Sequence, residues 1–500
     1  MRVSLPKTTP RRTDGNCSMN DEETPDESIG RRELLVVLGA GAVTTSGIAY
    51  AAMDWSTNSE QPVPETDPEQ STPETDQPPG ENIEDFGATP GIDTEAVARE
   101  NTEAIRSAAQ EAGEHGTLYV PEGEYFFGIA DQSFMFRFGH EQPKGISLLG
   151  AGPRQSKLIL TSTVDPASSY RAFRYEEEDL DGENIDHGAV AARDISFDGN
   201  YEELDMNPGN TIWGYYAYGD GHFSLDNVRI RGWWANGSKF SGPSARIRRL
   251  TFEENAIGVA QAGDESGVGH HIVANPPDDS SILIEDCEFQ GCSGTVINRR
   301  QGSGDVTLRR VWIRGVGASC LKMSDTNGTT RIENTYIEPR SDWIVQNLPE
   351  GFGNRGRWVM HRTAGSEYTP TVVLDNVVAR RMSRNFILCY RDRDIVLQGT
   401  DIAIHNAAMD EVRYTRGAIR ADNGIELDIG TMSVHNTNGE VFDTPDATGS
   451  VDTLLRGGND GLGDIGNLSL GDNPNSGYLQ PDVVSRDEVG IDSGGGASQQ

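Results

Sequence analysis

Lysine is scarce in this chain, and one lysine sits where chemistry would need it. Lys7, Lys144, Lys157, Lys239 and Lys322 are the only lysines, set against a formal net charge of -36. Lys322 lies near Arg299 and Arg300, and two stretches on either side add further ionisable groups. Residues 263–280 contain Asp264, His270 and His271; residues 347–370 contain Arg357, His361 and Arg362. An Arg or Lys near a bound uronate can neutralise its carboxylate and, from its neutral form, take up the C5 proton, which is the demand of β-elimination. A carboxylate such as Asp264, Asp305 or Asp325 could instead hold Ca²⁺ or act as acid or base in hydrolysis. The candidate catalytic set is Lys322, Arg300, His270, His361 and Asp264, with Arg299, Arg357 and Arg362 as substrate-binding residues. No metal is assigned. Trp233 and Trp234 are adjacent, so strand alternation sends one inward and one outward. The outward indole and Tyr216, in the run Ile212-Trp213-Gly214-Tyr215-Tyr216, are candidate sugar-stacking platforms.

The elements that must position these groups are short strands. Residues 281–300 read SILIEDCEFQGCSGTVINRR and residues 305–324 read DVTLRRVWIRGVGASCLKMS. Each holds two runs of period-two alternation, a Gly-containing corner and a short apolar strand, at a spacing of about 24 residues. The phrase recurs along the chain, as at 224–230, 371–378, 395–404 and 424–434. This is the repeat of a parallel solenoid of roughly ten to twelve coils. Asp226-Asn227, Asp286, Asn334 and Asp375-Asn376 recur just before a second strand, where polar side chains of successive coils stack and hydrogen-bond along the axis. The stretches 263–280 and 347–370 read as long connections at one station, three coils apart. At strand spacing they stand roughly 14 Å from each other and flank a trough for an extended oligosaccharide.

A family resemblance begins at Ile83. Ile83-Glu84-Asp85-Phe86-Gly87-Ala88 is followed by Asn101-Thr102-Glu103-Ala104-Ile105, then by Gly116-Thr117-Leu118-Tyr119-Val120-Pro121-Glu122-Gly123-Glu124-Tyr125. These stretches resemble the opening of pectate-lyase-superfamily proteins. The resemblance implies an all-β, right-handed parallel β-helix with an N-terminal capping helix. It does not single out a reaction, because the same opening precedes hydrolases, lyases, epimerases and phage tailspikes. The helix itself is legible from Val97, Ala104, Ile105, Ala108 and Ala112, with Asp93 as its expected cap and Gly113 and Gly116 ending it. The paired "NTD", "DD", "GHG" and "RIK" motifs of polygalacturonase-type hydrolases are missing, as is the "W-x-D-H" of calcium pectate lyases, so no catalytic residue carries over. A β-propeller fits the coil length less well.

The remaining segments set the context. Residues 1–30 form a polar leader. Residues 31–52, with Arg31-Arg32 ahead of an uncharged apolar run, resemble a Tat export signal or membrane anchor. Residues 53–82 form an acidic Pro/Glu/Thr linker, 83–484 the β-helix, and 485–500 a disordered tail. Acid excess with scarce Lys points to a surface hydrated in high salt and argues against nucleic acid as partner. Cys287, Cys292, Cys320 and Cys389 fall at coil positions that hold aliphatics elsewhere, so they read as small buried residues. Two functions follow: an extracellular or cell-surface lyase or hydrolase on an acidic glycan, or a non-catalytic glycan-binding envelope protein. The partner is a polysaccharide in both, with a membrane tether through the apolar segment.

Overall fold

The computed structural model describes residues 80–491 apart from 130–133, 166–169, 205–211, 243, 258–268, 325, 340–356, 363–368, 383–384, 391–394, 406–417, 423, 436–439, 457–460 and 472–478. Residues 31–52 and the linker up to residue 79 lie outside these, while Glu81 and Asn82, expected in the disordered linker, instead pair in register with Leu118 and Tyr119. No described helix is long and apolar enough to cross a membrane. The chain from residue 80 is a right-handed parallel β-helix built from two parallel sheets. One sheet contains the long strands, such as Asp220–Arg231, Ser281–Cys292, Asp305–Val316 and Thr371–Arg380. The other has twelve short strands, from Phe134–Phe138 to Gly461–Asp464.

Most of the long strands bend at one residue of left-handed backbone. Asp194, Asn227, Arg249, Asp286, Arg310, Asn334, Asn376 and Asp401 all have φ between 48° and 56°, and the pairing register puts them in one row. Six of the eight are Asn or Asp, the side chains that tolerate this conformation best after Gly. The row is also bonded along the axis. Asn227 Nδ2 donates to Asp194 Oδ1 at 2.6 Å, Arg310 Nε to Asp286 Oδ1 at 2.7 Å, and Asn376 Nδ2 to Asn334 Oδ1 at 2.5 Å. The stacking expected at this corner is therefore present.

The short strands depart from simple alternation. In Phe134–Phe138, Tyr170–Tyr175, Thr295–Arg299 and Ser319–Met323 two consecutive residues enter the core: Met135 and Phe136, Ala172 and Phe173, Val296 and Ile297, Cys320 and Leu321. The residue after each pair (Arg137, Arg174, Asn298, Lys322) faces outward, and the next (Phe138, Tyr175, Arg299, Met323) is buried. This out–in–in–out–in order fixes what the outer face presents. The four cysteines are free and buried, as small core residues.

The helix Glu95–Ala112 is capped by Thr94, whose hydroxyl accepts from Val97 N at 3.4 Å. Asp93, the expected cap, instead accepts from Ser162 N at 3.2 Å. Buried Asn101 ties the helix to the first coil by donating to Phe126 O at 2.8 Å and Thr89 O at 3.0 Å. Gly113, at φ 71°, ends the helix. Residues 485–491, expected in a disordered tail, instead pack on the long-strand sheet. Arg486 Nε meets Glu288 Oε1 at 2.6 Å, and Ile491 N donates to Thr251 Oγ1 at 3.1 Å.

Candidate functional site

The outer face of the short-strand sheet carries two rows of functional side chains. Strand register makes one continuous row of Arg137, Arg174, Tyr216, Lys239, Val273, Asn298 and Lys322. A second row runs Phe134, Arg171, Trp213, Asn236 and His270. Seven rungs cover roughly 29 Å at strand spacing. In its first coils the face alternates cations and rings. Arg171 lies 4.9 Å over Trp213 and 5.1 Å from Phe134; Arg137 lies 4.8 Å from Phe134; Arg174 and Lys239 lie 5.2 and 4.8 Å from Tyr218. Buried Glu176 sits between Arg137 and Arg174, at 2.6 and 2.8 Å, so the cluster keeps an excess of positive charge.

The long-strand sheet handles its arginines differently. Arg246 and Arg309 share Glu285, Arg248 and Arg249 share Asp226, Arg310 meets Asp286, and Arg381 meets Glu338. These arginines are matched by carboxylates. On the short-strand face Arg137 and Arg174 likewise share Glu176, but Arg171 and Lys239 are set against aromatic rings, which leave the charge available to an anion.

Further along this face lie three of the nominated groups. His270 is 6% exposed, and its Nε2 is 2.8 Å from Asn298 Nδ2. Burial holds its pKa well below the usual imidazole value, and the charges of Arg300 and Lys322 add to the effect; the ring is neutral at neutral pH. Arg300 and Lys322 are half-buried and bear on the same ring. Arg300 N donates to Asn275 Oδ1 at 3.0 Å. Four buried atoms of the face have no hydrogen-bond partner among the described residues: Trp213 Nε1, Asn236 Oδ1, His270 Nδ1 and Asn298 Oδ1. Buried polar atoms are normally satisfied, so these four leave hydrogen-bonding capacity that no described residue meets.

Other nominated residues fall elsewhere. Trp233 and Trp234 are 0% and 4% exposed, and both belong to the core; Trp233 Nε1 donates to Phe197 O at 3.3 Å. Neither indole can stack on a sugar, because both belong to the turn that fills the interior between two strands. Tyr216 is buried as well, stacked on Trp213 at 4.6 Å between centroids, with its hydroxyl 3.2 Å from Asn236 Nδ2. Trp213, absent from the sequence-based candidates, is the partly exposed member of that pair. Arg299 is not a substrate-binding residue: it sits at an inward position and donates to Thr329 O at 2.9 Å, Thr330 Oγ1 at 2.7 Å and Gly304 O. Burial lowers its pKa to about 10.

The two stretches read as long connections each contain a short strand, His270–Asn275 and Arg357–Arg362, so His270 stands on the sheet and not on a loop wall. His361 pairs in register with Met323 and Cys389, both buried. Arg357 pairs with Ser319, and Arg362 with Tyr390. Asp264 lies outside the described residues.

The fold places the chain in the class of parallel β-helix proteins. No family model and no curated protein matches its sequence. Solved structures do resemble it. The mannuronan C-5 epimerase A-module of Azotobacter vinelandii is 15% identical at a TM-score of 0.43, covering 78% of this chain and 99% of its own. The catalytic unit of a GH87 alpha-1,3-glucanase from Streptomyces thermodiastaticus is 14% identical at 0.40, covering 81% and 71%. The tailspike of E. coli bacteriophage HK620, in complex with a hexasaccharide, is 9% identical at 0.47, covering 76% and 78%.

Proposed function

We propose that this chain is an exported protein that binds an acidic polysaccharide along the outer face of its short-strand sheet and cleaves it by β-elimination. The contrast between the two faces carries the reading. In a chain of net charge -36, arginines of the long-strand sheet pair with carboxylates, while the short-strand face sets Arg171 and Lys239 against Phe134, Trp213 and Tyr218, with Arg137 and Arg174 beside them sharing the single carboxylate of Glu176. Aromatic faces take the apolar side of a pyranose ring, and the cations take its carboxylate. One rung of about 4.8 Å is close to the advance of one sugar along an extended chain.

Chemistry belongs to the later coils. Arg300 neutralises the carboxylate of the reacting uronate, which acidifies the C5 proton. Lys322, in its neutral amine form, takes that proton, the C4–C5 double bond forms as the C4–O bond breaks, and the departing sugar oxygen takes the electron pair and a proton from water. Neutral His270 holds a hydroxyl through Nδ1, with Asn298 fixing its ring. Arg31-Arg32 and the apolar run behind it support export, to where such a polymer is met.

The test is incubation of residues 53–500 in high salt with a panel of polyuronates. A lyase gives an unsaturated product that absorbs in the ultraviolet. Reducing ends without that absorbance would replace elimination by hydrolysis, and retention of polymer without product would leave a binding module.

A further inference from the structure

We infer that the cavity beneath the C-terminal strap is a second ligand site, which takes a single carboxylated sugar ring. The strap, residues 479–491, runs back along the outer face of the long-strand sheet, away from the groove described above. It is fastened at intervals. Leu479 N donates to Ser433 Oγ at 3.5 Å, Asn376 Nδ2 to Asp482 O at 2.7 Å, and Gly490 N to Asp286 O at 2.8 Å. Val484 and Val489 pack with Trp312 and Tyr336 in a small apolar cluster of their own.

Between these fastenings strap and sheet leave an open cleft of about 410 Å³, lined by Trp312, Tyr336, Val378, Arg380 and His405 below and by Gln480, Pro481 and residues 483–486 above. That volume is within the range of small-molecule sites. The walls define the ligand. Trp312 and Tyr336 lie on adjacent coils with centroids 6.0 Å apart and planes 13° from parallel, and where Val484 and Val489 leave them uncovered they give the site an apolar floor. Arg486 lies 5.5 Å over Trp312 but is committed to Glu288 at 2.6 Å and Gln290 at 3.1 Å. Arg380 is exposed at the cavity edge, in register with His405 of the next coil, and is placed to hold a carboxylate. His405 has a pKa pushed down to about 4 by burial, His435 and Arg380; it is neutral at neutral pH and offers a hydroxyl partner without adding charge. Gln480 supplies a further hydrogen-bonding group from the strap.

The ligand class comes from these walls alone and does not depend on the groove reading. Saturation-transfer NMR of sodium D-glucuronate with residues 53–500 in high salt tests it. Transfer is expected with the wild type, with affinity about tenfold weaker in Arg380→Gln, the loss of one charge-assisted hydrogen bond, and unchanged in Arg99→Gln on the capping helix. Glucose should bind more weakly than glucuronate. No transfer with the wild type, equal transfer from glucose, or equal affinity in Arg380→Gln overturns the site. Monomer binding that persists when no polyuronate binds would reject the groove and leave this site standing.

Discussion

The Arg171 guanidinium bridges two coils of the short-strand sheet, 4.9 Å over the Trp213 ring and 5.1 Å from Phe134. At molar salt the Debye length is only about 3 Å, so exposed charges on an acidic protein lose most of their reach. A cation pressed against a ring is partly desolvated and retains more of its pull on an anion. Replacing both Arg171 and Arg174 by Gln is expected to weaken polyuronate binding by about tenfold, measured by affinity electrophoresis or calorimetry. Trp213→Ala should weaken it similarly without lowering the melting temperature as a core deletion would.

Lys322 is expected to matter for turnover more than for binding. Lys322→Ala should remove ultraviolet-absorbing product while polymer affinity falls by less than about tenfold, the loss of one exposed charge contact. Unchanged turnover would take Lys322 out of the reaction.

Arg299 behaves as a structural residue. Arg299→Met leaves the acceptors of Thr329, Thr330 and Gly304 unmatched in the interior, and should cost about 3 kcal/mol of stability. Denaturant titration should show that loss, while glycan affinity below the transition stays at the wild-type value.

The bend row offers a backbone test. Asn334 has φ 48° and accepts from Asn376 at 2.5 Å. Asn334→Val forces a β-branched residue into left-handed backbone and should cost about 2 kcal/mol. Asn334→Gly, which relieves the backbone, should cost less. Equal losses in the two variants would mean that the hydrogen bond dominates.

His271 gives a signed pH dependence. It is fully buried between the Phe252 and Phe289 rings, and burial pushes its pKa down to about 3. The unfolded chain binds this proton near pH 6.5 and the folded chain does not, so stability falls as pH drops from about 6.5 towards about 3. By pH 5 the loss from this one group is roughly 2 kcal/mol. Denaturation midpoints at pH 7.5 and 5 should differ less in His271→Gln than in the wild type.

The sequence displayed the long-strand sheet plainly, because Ile282, Ile284, Cys287 and Phe289 alternate cleanly on either side of Asp286. It hid the short-strand sheet. There, residues such as Val296 and Ile297 both enter the core, so a period-two reading assigns the following positions to the wrong faces. Arg299 thereby looked like surface, and the strands around His270 and His361 looked like loops. The indoles at 233 and 234 were misread for a related reason, since a turn that packs inward has no strand alternation to obey. The cation–ring pattern did have a signal: Phe136-Arg137-Phe138 and Phe173-Arg174-Tyr175 each place an arginine between two buried rings, which sends it outward. The strap left less trace, because a segment of Asp, Val, Ser and Gly resembles a loose tail until Trp312 and Tyr336 are known to lie beneath it.

The most direct test compares the two faces. Polyuronate affinity of residues 53–500 in high salt is measured for Arg171→Gln/Arg174→Gln/Lys239→Gln and for Arg246→Gln/Arg309→Gln/Arg310→Gln, which remove equal charge from opposite sheets. The account predicts that the first loses binding and the second keeps it; equal affinity in the two would contradict it.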